Sequence, residues 1–185
     1  MKWTHCKIQN ITEDQANDTE KIALHTEKYE KFKIIRGEVV EAAIDIEGML
    51  TAIICHFLVG RDYYRHELLR ALIFDKESCT FMQKRKMLSV IFEMFPDSFD
   101  FLDKTESKKL RRKINDLILQ RDMFAHGEIS TDAENDDVLI EFYRNGKVQT
   151  KIDEQYTDDI FESCRWIQDQ LYKLNEFLRE NRMEK

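Results

Sequence analysis

A single proline and five glycines in 185 residues leave too few chain breakers for a many-stranded sandwich or a Pro/Gly-rich linker. Cysteine is equally scarce. Cys6, Cys55, Cys79 and Cys164 stand far apart and form no C-x-x-C pair, so neither disulfides nor a zinc site is expected, and a reducing cytoplasm is the simplest compartment. No apolar run approaches the roughly 20 residues that cross a bilayer. The amino terminus, "MKWTHCKIQN", lacks the apolar core of a secretory leader, so no membrane association is expected. Excess positive charge is missing too: the net of −7 argues against a protein that coats nucleic acid without specificity. His5, His25, His56 and His66 show no ligand spacing with one another or with the cysteines, and there is no Gly-rich phosphate loop, G-x-S-x-G elbow or H-E-x-x-H. The sequence therefore implies no metal and no cofactor.

What remains is helical in character. Lys, Glu, Leu and Ile abound, and 42 % of the residues are hydrophobic, enough for one domain, residues 1–185, with a real core. Thr12 and Gln15 form a capping box that opens a helix. Tyr29, Phe32, Ile35, Val39, Ala43, Ile46, Leu50, Ile53 and Phe57 then recur at spacings of three and four, one stripe ending at Gly60 as a C′ residue, with Gly37 a candidate place for a break. Helices are expected at about 62–74 (Tyr63, Leu68, Leu69, Leu72, Ile73) and 79–95 (Phe81, Met82, Met87, Leu88, Ile91, Phe92, Phe95), the second closed by Pro96 and Asp97. Thr105 or Ser107 caps the next, which carries Leu110, Ile114, Leu117 and Ile118 down to Gly127.

The character changes at 138–152. "VLIEFY" alternates, "RNGK" supplies an Asn-Gly turn and "VQTKI" alternates again, a β-hairpin pattern. A final helix over about 157–182, opened by Thr157, carries Ile160, Cys164, Ile167, Leu171, Leu174 and Leu178. The fold class is thus an all-α helical bundle, core at about 30–130, with a small β-hairpin insert before the C-terminal helix.

The chemistry concentrates in Arg121–Gly127, "RDMFAHG". Arg121 continues the line of Leu110, Ile114, Leu117 and Ile118, so it must be partnered, must snorkel or must line a cleft. Asp122 and His126 are i,i+4 neighbours, so the carboxylate can hold the imidazole's tautomer. Gly127 suits a left-handed terminator. By spacing alone, a basic residue and a histidine completing a helix C-terminus explain the same letters.

"RDMFAHG" resembles the R-x4-H signature of HEPN domains, small helical domains associated with nucleotides and RNA. Arg121, Asp122 and His126 fall at the motif positions, with Ala125 and Gly127 in the frequent "AHG" form. The long helix with "VVEAAIDIEGMLTAIICHF", then "FMQKRKMLSVIF", then the motif helix, is similar in order over roughly residues 30–130. The resemblance implies a metal-independent endoribonuclease in which a ribose 2′-OH attacks the adjacent phosphate and leaves a 2′,3′-cyclic end. It would be a toxin or phage-defence (abortive-infection) effector, silenced by an antitoxin or regulatory protein. His126 would move protons, Arg121 would hold the phosphate, and Asp122 would orient His126 or touch substrate. Dependence on the 2′-OH excludes DNA. Arg121 and His126 lie about 140° apart around a helix, so two copies across a two-fold axis are expected to build a composite site, as family members do. The alternative is a HEPN-fold scaffold without turnover that binds a nucleotide or a protein.

Glu47 interrupts the apolar face formed by Ala43, Leu50 and Ile54. It either positions Arg121 or makes a structural salt bridge to another base. Residues 104–113 carry Lys104, Lys108, Lys109, Arg111, Arg112 and Lys113 against Glu106 alone, while the acidic excess lies at 132–137 and 153–162. Lys108, Lys109, Arg111, Arg112 and Lys113 are candidate RNA-binding residues, which Lys84, Arg85 and Lys86 would extend; a solvated helix face is the simpler alternative. Trp3 and Trp166 are expected to pack, not to stack on bases.

Overall fold

Helix propensity and periodicity dominate the backbone. The computed structural model describes residues 19–94, 99, 102–131, 137–143 and 146–180. These form α1 (Thr19–Val59), α2 (Tyr63–Leu69), a π-helical turn (Arg70–Phe74), α3 (Phe81–Met94), α4 (Lys104–His126), β1 (Glu128–Thr131), β2 (Val138–Tyr143), β3 (Lys147–Ile152) and α5 (Glu154–Glu180). The protein is mainly helical with one small antiparallel sheet. The Thr12 capping box, the Pro96 stop, Trp3, His5 and Cys6 fall outside the described residues.

Tertiary contacts gather the described residues into two compact units, one within 1–41 and 119–161, the other within 42–118 and 162–185. Along the chain, α1, α4 and α5 each begin in one unit and end in the other.

In the first unit Phe32, Val39, Phe124, Ile140 and Ile160 are buried, and the Phe32 and Phe124 rings stack with centroids 5.9 Å apart. The sheet runs β1-β2-β3, all antiparallel. Its β2–β3 pair is the hairpin read from the alternation at 138–152, joined by residues 144–146 with Gly146 at φ 130°. The third strand, β1, was not expected. At four residues it is too short to carry a pattern of its own, and pairing with β2 defines it, Ile129 opposite Ile140 and Glu128 opposite Glu141. Two carboxylates facing across strands repel. Glu141 meets this by accepting from Lys147 at 2.8 Å and from Gln149, which holds its carboxyl below the usual range.

The second unit buries Ala43, Ile46, Leu50, Ile53 and Ile54 from α1, Leu110, Ile114 and Leu117 from α4, and Cys164, Ile167, Leu171 and Leu174 from α5. The helix ends follow local chemistry. Gly60 at φ 67° closes α1, its N–H on the His56 carbonyl. Thr80 and Gln83 bond reciprocally as a capping box on α3. Asp103, in place of Thr105 or Ser107, caps α4 through the amides of Thr105 and Glu106. Asp153 opens α5 by accepting from the Tyr156 amide, three residues ahead of the expected start. Ser107 and Thr157 instead turn their hydroxyls onto first-turn carbonyls.

Three further expectations are corrected. α1 runs through Gly37 without a break, at the cost of one flexible residue in a helix interior. The helix expected over 62–74 is present but changes form: α2 gives way at Arg70 to the π turn, closed by the Asp75 amide on the Arg70 carbonyl, and Tyr63, Leu68, Leu72 and Ile73 are exposed while Phe74 is buried. Finally, Thr26–Val59 is long and apolar enough by length and composition to cross a membrane, because Asp45 and Glu47 interrupt the run without lowering its average far. A core helix needs the same composition, and this one buries Val39, Ala43, Ile46, Leu50 and Ile53 inside the protein.

Candidate functional site

The motif occupies the last turn of α4, in the first unit. The helix is regular through His126 and gives way at once to Gly127 and β1. Met123 and Phe124 are buried and anchor the turn, leaving Arg121 and Asp122 about one-third exposed (36 % and 33 % of their side chains) and His126 exposed. Arg121 is therefore neither in the core nor free in solvent. It occupies the rim, as the break in the apolar line required.

Asp122 does not hold His126. Its Oδ1 accepts from an Arg121 Nη at 3.0 Å, so the carboxylate pairs with the neighbouring guanidinium. Adjacent residues do not face each other on a helix, but the long arginine can fold back, and a permanent planar cation outcompetes a neutral imidazole for a carboxylate. Among the described residues His126 has no hydrogen-bond or ion-pair partner. Neither ring nitrogen is engaged by a described residue, while Arg121 is fixed on one side and has N–H donors to spare.

Gly127 is not a left-handed terminator: the only described glycines with positive φ are Gly60 and Gly146. Its constraint is contact. A Cβ there would lie 2.3 Å from Ile140 Cγ2 and 2.6 Å from the Met123 carbonyl oxygen. Glycine lets the sheet close directly on the helix end, and the Gly127 amide finishes the last turn on that same carbonyl at 2.7 Å.

A residue that sequence reasoning passed over completes the turn. Arg36 of α1, four residues after Phe32, donates from Nη2 to the Ala125 carbonyl at 2.7 Å. It satisfies one of the orphan acceptors of the helix end and opposes the negative pole of its dipole. Burial pulls the Arg36 pKa below its ordinary value. The signal was a cation one turn beyond a core phenylalanine, in the place of an apolar residue. The first unit thus brings Arg36, Arg121, Asp122 and His126 to one helix end, two guanidiniums and an exposed imidazole with one carboxylate.

The remaining candidates lie in the second unit. Glu47 takes Lys84 as its partner at 2.8 Å, with the lysine side chain only 9 % exposed. A buried ammonium needs a counter-charge, and Glu47 supplies it; the salt-bridge alternative describes this residue. The basic run is largely committed within the chain. Arg111 reaches Glu93, Arg112 reaches Asp116 and Lys109 reaches Glu106. Lys109 and Lys113 sit over the Trp166 ring, 4.5 and 5.8 Å from its centroid, and Lys113 also donates to Ser163. Trp166 is a packing platform for cations. The Lys108 and Lys104 side chains have no partner among the described residues. Cys55, Cys79 and Cys164 are free and buried. Among the described residues no three His, Cys, Asp or Glu side chains gather as metal ligands. No protein family, characterised relative or solved structure matches this chain.

Proposed function

We propose that this protein is a metal-independent endoribonuclease of the HEPN type, a cytoplasmic toxin or phage-defence effector that works as a homodimer and is held by an antitoxin or regulatory partner. The observation that carries the reading is the exposed His126 ring, without a partner among the described residues, on the same helix end as the one-third-exposed Arg121 guanidinium.

The chemistry follows from those two side chains. A neutral imidazole takes the proton of a ribose 2′-OH as its oxygen attacks the adjacent phosphorus, and an imidazolium returns a proton to the departing 5′ oxygen. Histidine is the side chain that most often serves in both duties. Arg121 would meet the phosphate's non-bridging oxygens, where charge accumulates in the transition state. Asp122 would then orient Arg121 through their 3.0 Å bond, not the imidazole. The two groups lie about 140° apart on one helix, so each site would take its arginine from one copy and its histidine from the other.

The test is cleavage of RNA in EDTA. The wild type is expected to leave 2′,3′-cyclic ends, with His126→Ala slowed by about a hundredfold or more. Cleavage unchanged in His126→Ala, or dependent on added metal, would defeat the mechanism. Mixing inactive Arg121→Ala and His126→Ala chains should restore activity, because one site of the mixed dimer keeps both groups. A monomer by light scattering at micromolar concentration would remove the composite site.

A second reading has its own support. The net charge of −7 and the internal pairing of most of the 104–113 cations suit a HEPN-fold scaffold that binds a nucleotide or protein without turnover. It predicts binding with no cleavage in the same assay.

A further inference from the structure

A cleft of about 260 Å³ opens in the second unit beside the start of α4. Its floor is apolar and largely aromatic: Phe92, Phe99 and Leu102, with the two rings edge to face at 5.6 Å. Its rim is cationic, formed by Lys104, Lys108 and Arg111, with Glu93 the one carboxylate among the described lining residues. Arg111 is held in place by Glu93 at 3.2 Å and by the Ser107 carbonyl at 3.3 Å, and keeps N–H donors unspent. The Lys104 and Lys108 ammoniums have no ion pair or hydrogen bond among the described residues, although the side chain of every other cation of the run is engaged. Asp103 makes no salt bridge to either lysine; its Oδ1 accepts from the amides of Thr105 and Glu106.

We propose that this cleft binds an aromatic phosphate monoester, the chemistry of a nucleotide with a terminal phosphate. The volume is just under the roughly 300–1,000 Å³ of pockets for drug-sized ligands, so it takes one ring with its head group. The apolar floor receives the ring. Two unpaired ammoniums and a braced guanidinium receive the head group, and two net charges match a phosphate monoester, about −2 at neutral pH, better than a carboxylate or a diester at −1. The ligand is a free nucleotide or the phosphorylated end of a strand. The site does not rest on the ribonuclease reading. It uses none of the motif residues, and its test reads binding alone.

The experiment is calorimetric titration of the full chain with adenosine monophosphate, adenosine, inorganic phosphate and a short oligoribonucleotide with and without a 5′-phosphate. Adenosine monophosphate is expected to bind at least about tenfold more tightly than either adenosine or phosphate alone. A Lys104→Glu, Lys108→Glu double variant should lose at least about tenfold while keeping its thermal midpoint, because both side chains are exposed and unpaired. Preference for the 5′-phosphorylated oligonucleotide over free monophosphate identifies a strand end as the ligand; the reverse identifies a free nucleotide. Equal binding of adenosine and its monophosphate, or equal binding by wild type and the double variant, overturns the proposal. His126→Ala should bind as wild type does, which separates this site from the motif.

Discussion

Gly127 carries more of the candidate site than its missing side chain suggests. With 2.3 Å between a would-be Cβ and Ile140 Cγ2, Gly127→Ala must push the sheet off the helix end or pull the helix end away. The expected loss is about 1–3 kcal/mol in a urea melt, with the proposed RNA cleavage falling further than stability because His126 is the preceding residue. A second expectation concerns Cys164. Burial pushes its thiol up to about 11, and Cys55 is raised by the same cause, so neither should be alkylated by iodoacetamide at pH 8 until the protein is denatured. At this scale the sequence was half legible. The letters of the motif were plain, and the exposure of His126 followed from its place at a helix end. The partner of Asp122 did not, since i,i+4 spacing says who can meet whom and not which of two cations wins. Arg36 was hidden for a related reason: its acceptor is a backbone carbonyl 89 residues away, and no local pattern points there.

Elements were read best where one face is buried along several turns. The stripe of α5 is buried at each position from Ile160 to Leu178, and the α1 stripe is buried from Val39 to Ile53. They failed where burial and spacing part company. In α2 and the π turn, apolar residues at helical spacing face solvent, and β1 exists only because β2 lies beside it. Within the second unit, the Glu47–Lys84 pair ties α1 to α3. Glu47→Gln is expected to cost about 3 kcal/mol in chemical denaturation by leaving the Lys84 ammonium buried and uncompensated, while Glu47→Gln with Lys84→Met recovers most of it. RNA cleavage per folded molecule should be unchanged in Glu47→Gln; a loss beyond the folded fraction would return Glu47 to the candidate site.

For the whole molecule, stability should depend on pH through His56. Its Nδ1 meets Asn175 Oδ1 at 2.7 Å, and its ring lies 4.6 Å from that of His66, which bonds the Gly60 carbonyl. Burial lowers the His56 pKa, and nearby His66, Arg179 and Arg61 lower it further against the opposing Asn175 bond. With the folded value below the unfolded one, the unfolded chain takes up its proton first as pH falls through about 6.5, and stability declines until the native histidine is protonated too. Above that window the group contributes no pH dependence. Urea midpoints at pH 7.5 and 5.5 should therefore differ more in wild type than in His56→Gln. The sequence could not show this, because His56 and His66 meet only across the turn after α1.

The abrupt succession of His126, Gly127 and β1 has a further consequence. Phe124 is fastened to Phe32 and Gly127 is pressed on Ile140, so the imidazole hangs from a span of chain pinned two residues before it and one after. Such a span has no slack to share. One alanine inserted after His126 would keep every residue of the motif and still lose the site, because what the fold enforces there is a count.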